Sequence, residues 1–264
     1  MPSAPPNAKH LRQPDPQIGD YGGCLRCRGR TAIAAASILL ALAFSGCESS
    51  DQMAGIDRYL LGEAQNAEQR GDYVAASQRY GTLYESNRDQ PKVLEAMARN
   101  MRRSGQFEPA RRILEEALAR LGPLPQLLLE KGKDEIALGR ADLAVQTLQV
   151  AVQGAPTEWE PASTLAIAYD RTSQYDAAAA QYKIAIGLYP ENADIINNYA
   201  LSRALAGDLD EARSLLNKAV KMPAASQRTR ENLALLEALR NQPPPRAGTI
   251  GIAPPALNQP PEIK

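Results

Sequence analysis

The chain has three cysteines and one histidine, the residue types that most often bind metals or act as nucleophiles. Cys24 and Cys27 are separated by two residues, a spacing used by zinc sites and by dithiol redox sites. No second pair of ligands accompanies them, and the segment around them is basic. We interpret the pair as part of a leader without function in the mature protein, with a metal or redox site as the alternative.

A short apolar run follows this basic segment. Residues 31–44 are mostly Ala, Ile and Leu, and arginines precede them. A run of 14 residues is too short to span a bilayer comfortably. A basic segment followed by a short apolar run is typical of a secretory signal peptide. We therefore expect residues 1–46 to be a signal peptide, whose removal also removes His10.

The leader ends in Phe44-Ser45-Gly46-Cys47, which resembles a bacterial lipobox. The resemblance implies cleavage before Cys47 and attachment of lipid to that cysteine, and several acyl chains would form a stable anchor. In lipoproteins of the enterobacterial type, Asp after the cysteine favours the inner membrane, whereas here Glu48 follows. We therefore expect a lipid-anchored outer-membrane protein that faces the periplasm. The alternative is an uncleaved hydrophobic anchor, or a plain signal peptide in which Cys47 is incidental.

Processing of this kind would leave no histidine and no free thiol in the mature chain. Their absence excludes Ser-His and Cys-His nucleophile systems, as well as zinc sites that use histidine. Pairs of carboxylates remain, such as Glu115 with Glu116, but they fall at helix ends or exposed positions where acidic residues are common. No glycine-rich phosphate loop is recognisable. We therefore expect a protein that is not an enzyme, with no cofactor, metal or small-molecule substrate.

The charge balance argues against nucleic acid as a partner. The full chain carries 30 Lys and Arg against 30 Asp and Glu, and residues 1–46 hold five of the basic and two of the acidic residues. The remainder is slightly acidic. Because binding to phosphate backbones depends on a broad basic surface, we expect protein partners.

The helices that must position any functional residue are indicated by a regular series of alanines, called the alanine ladder below. One alanine recurs every 34 residues, at Ala76, Ala110, Ala144, Ala178 and Ala212. A turn residue stands five positions before each of them, at Gly71, Gly105, Gly139, Ser173 and Gly207. Small residues let two helices approach closely, and a glycine after a helix supplies a left-handed turn. The period therefore predicts an all-α array of stacked helical hairpins.

The details of the period carry a family resemblance. With Gly71-Asp72-Tyr73 at a turn, and Pro156 and Pro190 near the ends of repeats, the array resembles the tetratricopeptide repeat (TPR). The resemblance implies an all-α TPR solenoid of about five helix-turn-helix repeats over residues 57–223. A C-terminal capping helix over residues 227–240 would cover the last exposed apolar face.

Two further segments flank the predicted solenoid, which with its cap occupies residues 57–240. Residues 47–56 are polar, and we expect them to form a lipidated tether. Residues 241–264 contain clusters of proline and almost no apolar periodicity, which predicts a Pro-rich disordered tail. The tail is either a frayed terminus or a strap that binds a partner.

The concave face of such a solenoid is lined by the first helix of each repeat, and the register places several polar residues there. We expect peptide binding by Asn198, Asn232, Asn197, Arg99, Arg102, Arg103 and Lys133. The family uses an asparagine at the position of Asn198 and Asn232 to hold an extended backbone, and the arginines would attract an acidic end. The alternative is that the arginines are solvated and the asparagines are local caps. Trp159 is either a packing residue at a hairpin junction or a surface anchor.

A second resemblance covers three stretches near the end of the array, residues 197–202, 206–212 and 230–235. They are similar to the TadD family, the TPR lipoproteins of the tight-adherence (Flp) pilus assembly system. This implies a scaffold that helps to assemble the pilus secretion apparatus, acting on its secretin as a pilotin or on other pilus components. A TPR lipoprotein of outer-membrane protein insertion, cell-envelope synthesis or another pilus system is the alternative.

Overall fold

The structure is a computed structural model that describes residues 45–86 and 88–240. The chain divides into two units, residues 1–50 and 51–264. Within the first unit only residues 45–50 are described, and they are helical. The predicted signal peptide, apart from its last two residues, and the Pro-rich tail lie outside the described residues.

The described ranges contain eleven α-helices joined by short turns. The helices are α1 Ser45–Gln69, α2 Tyr73–Ser86, α3 Pro91–Arg103, α4 Phe107–Leu121, α5 Pro125–Ala137, α6 Ala141–Gly154, α7 Trp159–Arg171, α8 Tyr175–Leu188, α9 Ala193–Leu205, α10 Leu209–Ala219 and α11 Gln227–Arg240. From α2 onward each helix packs on the next, and α11 packs on α9 and α10. Tyr80 of α2 donates a hydrogen bond to Glu68 of α1, so the helices pair into five hairpins, from α1–α2 to α9–α10. The predicted all-α fold with five hairpins and a final helix is confirmed.

A residue with positive φ ends the first helix of every hairpin, as the period predicted. The four glycines of the ladder have φ between 73° and 91°, and Ser173 has φ 60°. At the first turn the amide of Gly71 donates to Glu68 O, and the amide of Asp72 donates to Ala67 O. These bonds satisfy carbonyls that the helix end leaves without partners.

The small residues of the ladder lie where two helices touch. All five alanines of the 34-residue ladder are fully buried. Gly132 in α5 occupies the place that alanine takes in the other repeats, and a Cβ there would lie 2.5 Å from Leu148 Cγ on α6. The second helix therefore approaches the first most closely at the positions that the sequence keeps small.

Polar side chains also connect the first helices of consecutive hairpins, and some of these links join residues 32 positions apart. Three such links occur: Glu68 with Asn100 at 2.6 Å, Arg102 with Asp134 at 3.6 Å, and Asp170 with Ser202 at 2.6 Å. The carboxylates at the first and last links also accept a hydrogen bond from a tyrosine of the second helix of their own hairpin. The first and last links are hydrogen bonds, and they fix the stacking of one repeat on the next because a buried polar group must keep its partner.

The first helix begins earlier than we expected. We predicted a tether over residues 47–56 and the first helix near Asp57, whereas α1 begins at Ser45 and includes the whole tether. Residues 47–54 contain neither glycine nor proline, the two residues that disfavour a helix most strongly. None of the helices in the described ranges is both long and apolar enough to cross a membrane.

Candidate functional site

The first helices of the last repeats surround a groove of about 370 Å³. Its walls come from α5, α7 and α9 and from the start of α11. The lining residues are Lys133, Trp159, Glu160, Ser163, Thr164, Ile167, Asn192, Asp194, Ile195, Asn197, Asn198, Ser226, Gln227 and Arg228. The groove therefore lies among the first helices of the hairpins, and three of the residues predicted to bind peptide, Lys133, Asn197 and Asn198, line it.

Helix periodicity explains why these side chains meet. On α7, the residues Glu160, Ser163, Thr164 and Ile167 are spaced at i, i+3, i+4 and i+7, which places them on one face. The proline of α7, Pro161, lies in the first turn, where the missing amide proton leaves no hydrogen bond unmade. The 34-residue stacking then sets the corresponding face of α9 beside that of α7.

Trp159 gives the groove its aromatic wall. Its ring lies 5.6 Å from the ring of Tyr189, centroid to centroid, at an interplanar angle of 43°. The indole is partly buried at the junction of two hairpins and also lines the groove. The two roles that the sequence left open for Trp159 are therefore both compatible with its position, and Ile167 and Ile195 extend the apolar surface.

The three predicted asparagines form a chain of side-chain amides. Asn232 Nδ2 donates to Asn197 Oδ1 at 2.9 Å, and Asn197 Nδ2 donates to Asn198 Oδ1 at 3.3 Å. Asn197 is almost fully buried, whereas Asn198 is half-buried and lines the groove. Asn232 is not among the lining residues, so its contact with the groove passes through Asn197.

A row of alternating positive and negative side chains connects α3, α5 and α7. Arg102 Nη2 donates to Glu130 Oε2 at 2.9 Å, and Lys133 Nζ donates to Glu130 Oε1 at 2.9 Å and to Glu160 Oε1 at 2.7 Å. Burial alone would raise the pKa of Glu130, but the two neighbouring cations outweigh it and lower the pKa. Lys133 is only 3% exposed, and the carboxylates of Glu130 and Glu160 already balance its charge. A ligand in the groove would therefore not meet a free cation there.

The three predicted arginines do not share one accessible surface. Arg99 pairs with Glu95 on its own helix, at 3.6 Å. Arg102 is buried in the charge row, and the guanidinium of the exposed Arg103 lies 5.2 Å from the centre of the Tyr73 ring. None of the three lines the groove. The structure thus brings Lys133 together with Asn197 and Asn198, and leaves the arginines on other parts of the array.

Two buried aspartates near this face differ in how they are satisfied. Burial raises the pKa of Asp170 to about 6, although hydrogen bonds from Ser202 and Tyr182 oppose the shift. Burial raises the pKa of Asp134 to about 8, and within the described ranges neither of its carboxylate oxygens accepts a hydrogen bond. Hydrogen bonds hold the first aspartate between two helices, whereas Arg102 offsets only part of the desolvation cost of the second.

Sequence reasoning missed the side chains of α7 and α11 that complete the groove. Ser163, Thr164 and Ile167 could have been found by extending the helical spacing from Glu160 along one face. No comparable signal pointed to Arg228, because its position depends on how α11 packs. No group of three His, Cys, Asp or Glu able to hold a metal ion occurs among the residues that the structure describes.

Comparison with known proteins agrees with this geometry. A tetratricopeptide-repeat family model matches residues 95–158 and 163–228. A thermophilic TPR protein from Thermus thermophilus is 21% identical with a TM-score of 0.61, over 69% of this chain and 99% of that protein. MamA from Desulfovibrio magneticus RS-1, from its residue 41 to its end, is 18% identical with a TM-score of 0.54, over 65% and 97%.

A third solved structure is YrrB, described as a TPR protein with an unusual peptide-binding site. It is 17% identical with a TM-score of 0.51, over 65% of this chain and 89% of that protein. At these identities the likeness concerns the fold. No curated protein sequence matches the chain.

Proposed function

Because the described array is a solenoid of tetratricopeptide repeats, we propose that its groove binds an extended segment of a partner protein. Repeats of this kind build scaffolds for protein interaction, and their stacked first helices form an extended concave surface. The proposal concerns which part of that surface is used, and what the bound segment contacts.

The observation that carries the proposal is the pairing of an aromatic wall with side-chain amides. Trp159 presents an apolar face, while Asn198 and Gln227 present amide groups that can donate and accept hydrogen bonds. An extended backbone needs both kinds of group, because its peptide units have no partners within the segment. A volume of about 370 Å³ accommodates a few residues of such a segment.

The amide chain supports this use of Asn198. Its neighbour Asn197 is held from the other side by Asn232 on the capping helix. A side chain whose orientation is set before binding loses less conformational freedom when the ligand arrives. The capping helix would therefore contribute to binding by orienting the side chain of Asn198 through Asn197.

We further propose a cellular setting from the sequence. The lipobox-like Phe44-Ser45-Gly46-Cys47 supports lipid attachment at Cys47 and an outer-membrane location facing the periplasm. The likeness of residues 197–202, 206–212 and 230–235 to the TadD family supports a role in assembly of a tight-adherence (Flp) pilus apparatus, with a secretin as partner. On this proposal the protein is a scaffold or pilotin and has no catalytic role.

The proposal is tested by affinity purification of the tagged full-length protein from detergent-solubilised membranes, with mass spectrometry of the bound proteins. Three variants accompany it: Cys47→Ala, Asn198→Ala, and Asn66→Ala as a matched control on the exposed face of α1. Loss of one hydrogen-bonding amide at the groove should weaken partner recovery about fivefold, and the control should not.

Each outcome bears on a different part of the proposal. Enrichment of a secretin that Asn198→Ala reduces and Asn66→Ala preserves supports both the groove and the pilus role. Recovery of a barrel-insertion or wall-synthesis complex keeps the scaffold and discards the pilus. Equal recovery by all variants removes the groove as the binding site. Membrane attachment that persists in Cys47→Ala refutes the lipid anchor.

A further inference from the structure

The groove carries no net charge along its walls. Among its lining residues Lys133 and Arg228 are basic, and Glu160 and Asp194 are acidic. Lys133 and Glu160 are bonded to each other at 2.7 Å. A strongly charged segment would gain little from this surface and would lose its hydration there. The wall formed by Trp159, Ile167 and Ile195 favours an uncharged segment with apolar side chains instead.

The chain itself contains such a segment. Residues 247–261, Ala-Gly-Thr-Ile-Gly-Ile-Ala-Pro-Pro-Ala-Leu-Asn-Gln-Pro-Pro, include no charged residue, and charged residues stand on both sides of them. Ile250 and Ile252 are two positions apart, so both would point to the same side of an extended backbone. Proline-rich segments bind aromatic-lined grooves because their extended form loses little entropy on binding.

The reach of the chain allows this segment to return to the groove. The lining residue Arg228 lies in the first turn of α11, and Arg240 is its last residue. Twelve residues of α-helix separate them by about 18 Å. Residues 241–249 can span up to about 30 Å when extended, so Ile250 and Ile252 can come back to the groove at Arg228.

We propose that the segment 247–258 of this chain binds through the few residues around Ile250 and Ile252, which occupy the groove, and acts as a built-in competitor of the partner segment. The inference rests on the proposed function, because it requires that the groove bind an extended peptide. It adds the chemistry of that peptide, which is uncharged, apolar at alternate residues and rich in proline. A tethered segment acts at an effective concentration near the millimolar range, so a partner must displace it.

The chain provides its own reporter for the test. Trp159 is the single tryptophan of the protein and lines the groove. Quenching of its fluorescence by acrylamide therefore measures how well the groove is covered. We would compare the full-length chain with a chain that stops after Arg240, and with full-length Ile250→Asp/Ile252→Asp. A full-length Asn241→Asp/Gln242→Asp variant adds the same charge outside the segment and serves as the control.

We expect Trp159 to be protected in the full-length chain and in the control, and to be more accessible in the other two variants. A synthetic peptide of residues 243–261 should restore protection to the shortened chain. If the tail binds with a dissociation constant of about 0.1 mM, that peptide should bind the full-length chain about tenfold more weakly than the shortened one. Circular dichroism checks that all variants are equally helical.

The outcomes separate this inference from the proposed function. Equal quenching in all variants, together with a partner segment that changes Trp159 emission equally in the full-length and shortened chains, overturns the tail as occupant and keeps the groove. No response of Trp159 to either the tail peptide or the partner overturns both. Protection lost with the tail or its isoleucines, and restored by the peptide, supports the inference.

Discussion

The substitution Asp134→Asn is expected to stabilise the protein, and to do so most at high pH. Asp134 is fully buried, and its nearest cation, Arg102 Nε, is 3.6 Å from Oδ1, too far for a hydrogen bond. Burial raises the pKa of this carboxyl from 3.8 to about 8. Asparagine has nearly the same shape and stays neutral at every pH, so it imitates the protonated aspartic acid.

The sign follows from proton linkage. The folded state holds the proton more tightly than the unfolded chain, so the free energy of unfolding falls as pH rises between the two pKa values of 3.8 and about 8. Each pH unit within that window costs about 1.4 kcal/mol. At pH 7 the cost reaches at most about 4 kcal/mol, and at pH 4 it is close to zero. Asp134→Asn should recover up to that amount at pH 7 and change little at pH 4.

The assay is urea unfolding of the full-length protein followed by circular dichroism at pH 4, 5.5, 7 and 8. Glu130→Gln, one turn earlier on α5, is the matched control with the opposite expectation. It removes the carboxylate between Arg102 and Lys133 and leaves two buried cations without it, a loss of about 3 to 5 kcal/mol at pH 7. The reasoning fails if Asp134→Asn destabilises the protein at pH 7, or if its advantage does not grow with pH.

Three further predictions use the same unfolding assay. Gly132→Ala should destabilise by about 1 to 3 kcal/mol, because its Cβ would lie 2.5 Å from Leu148 Cγ, and the penalty should vanish in a Leu148→Ala background. Ser173→Gly should stabilise by about 1 kcal/mol, because Ser173 has φ 60°, and equal stability would show that the turn is not strained. Asn192→Ala should cost about 1 kcal/mol, because Asn192 Oδ1 accepts hydrogen bonds from the amides of Asp194 and Ile195, whereas an unchanged midpoint would argue against the cap.

The hairpins could be predicted because the residues that form them are fixed by local geometry. A left-handed turn requires glycine or a tolerant residue, and close helix contact requires a small one, so both recur in every repeat. The three links over 32 residues between successive first helices were not predicted, although their spacing is constant. Their residue types change from repeat to repeat, since Glu68 with Asn100 and Asp170 with Ser202 satisfy the same need with different groups.

The lining of the groove was predicted only in part, for a related reason. The register placed Asn198 and Lys133 on the first helices, and both line the groove, because that placement depends on one helix alone. Whether a side chain there is accessible depends on the next helix. Arg102 faces inward and is covered by Glu130 and Asp134, so its charge is used within the protein. Pairing of this kind is set by the distance between helices, which the period does not reveal.

The division of the apolar core also determines how the array would respond to force. Ala64, Tyr80, Leu83 and Ala96 form a small cluster that joins the first hairpin to α3, whereas one larger cluster joins α5 through α9. In a stack where each repeat contacts only its neighbours, tension applied at the N-terminal end is carried through the repeats one after another. The first hairpin would extend before the groove is distorted. Tension at the N-terminal end would therefore unfold the first hairpin while the repeats that line the groove keep their geometry.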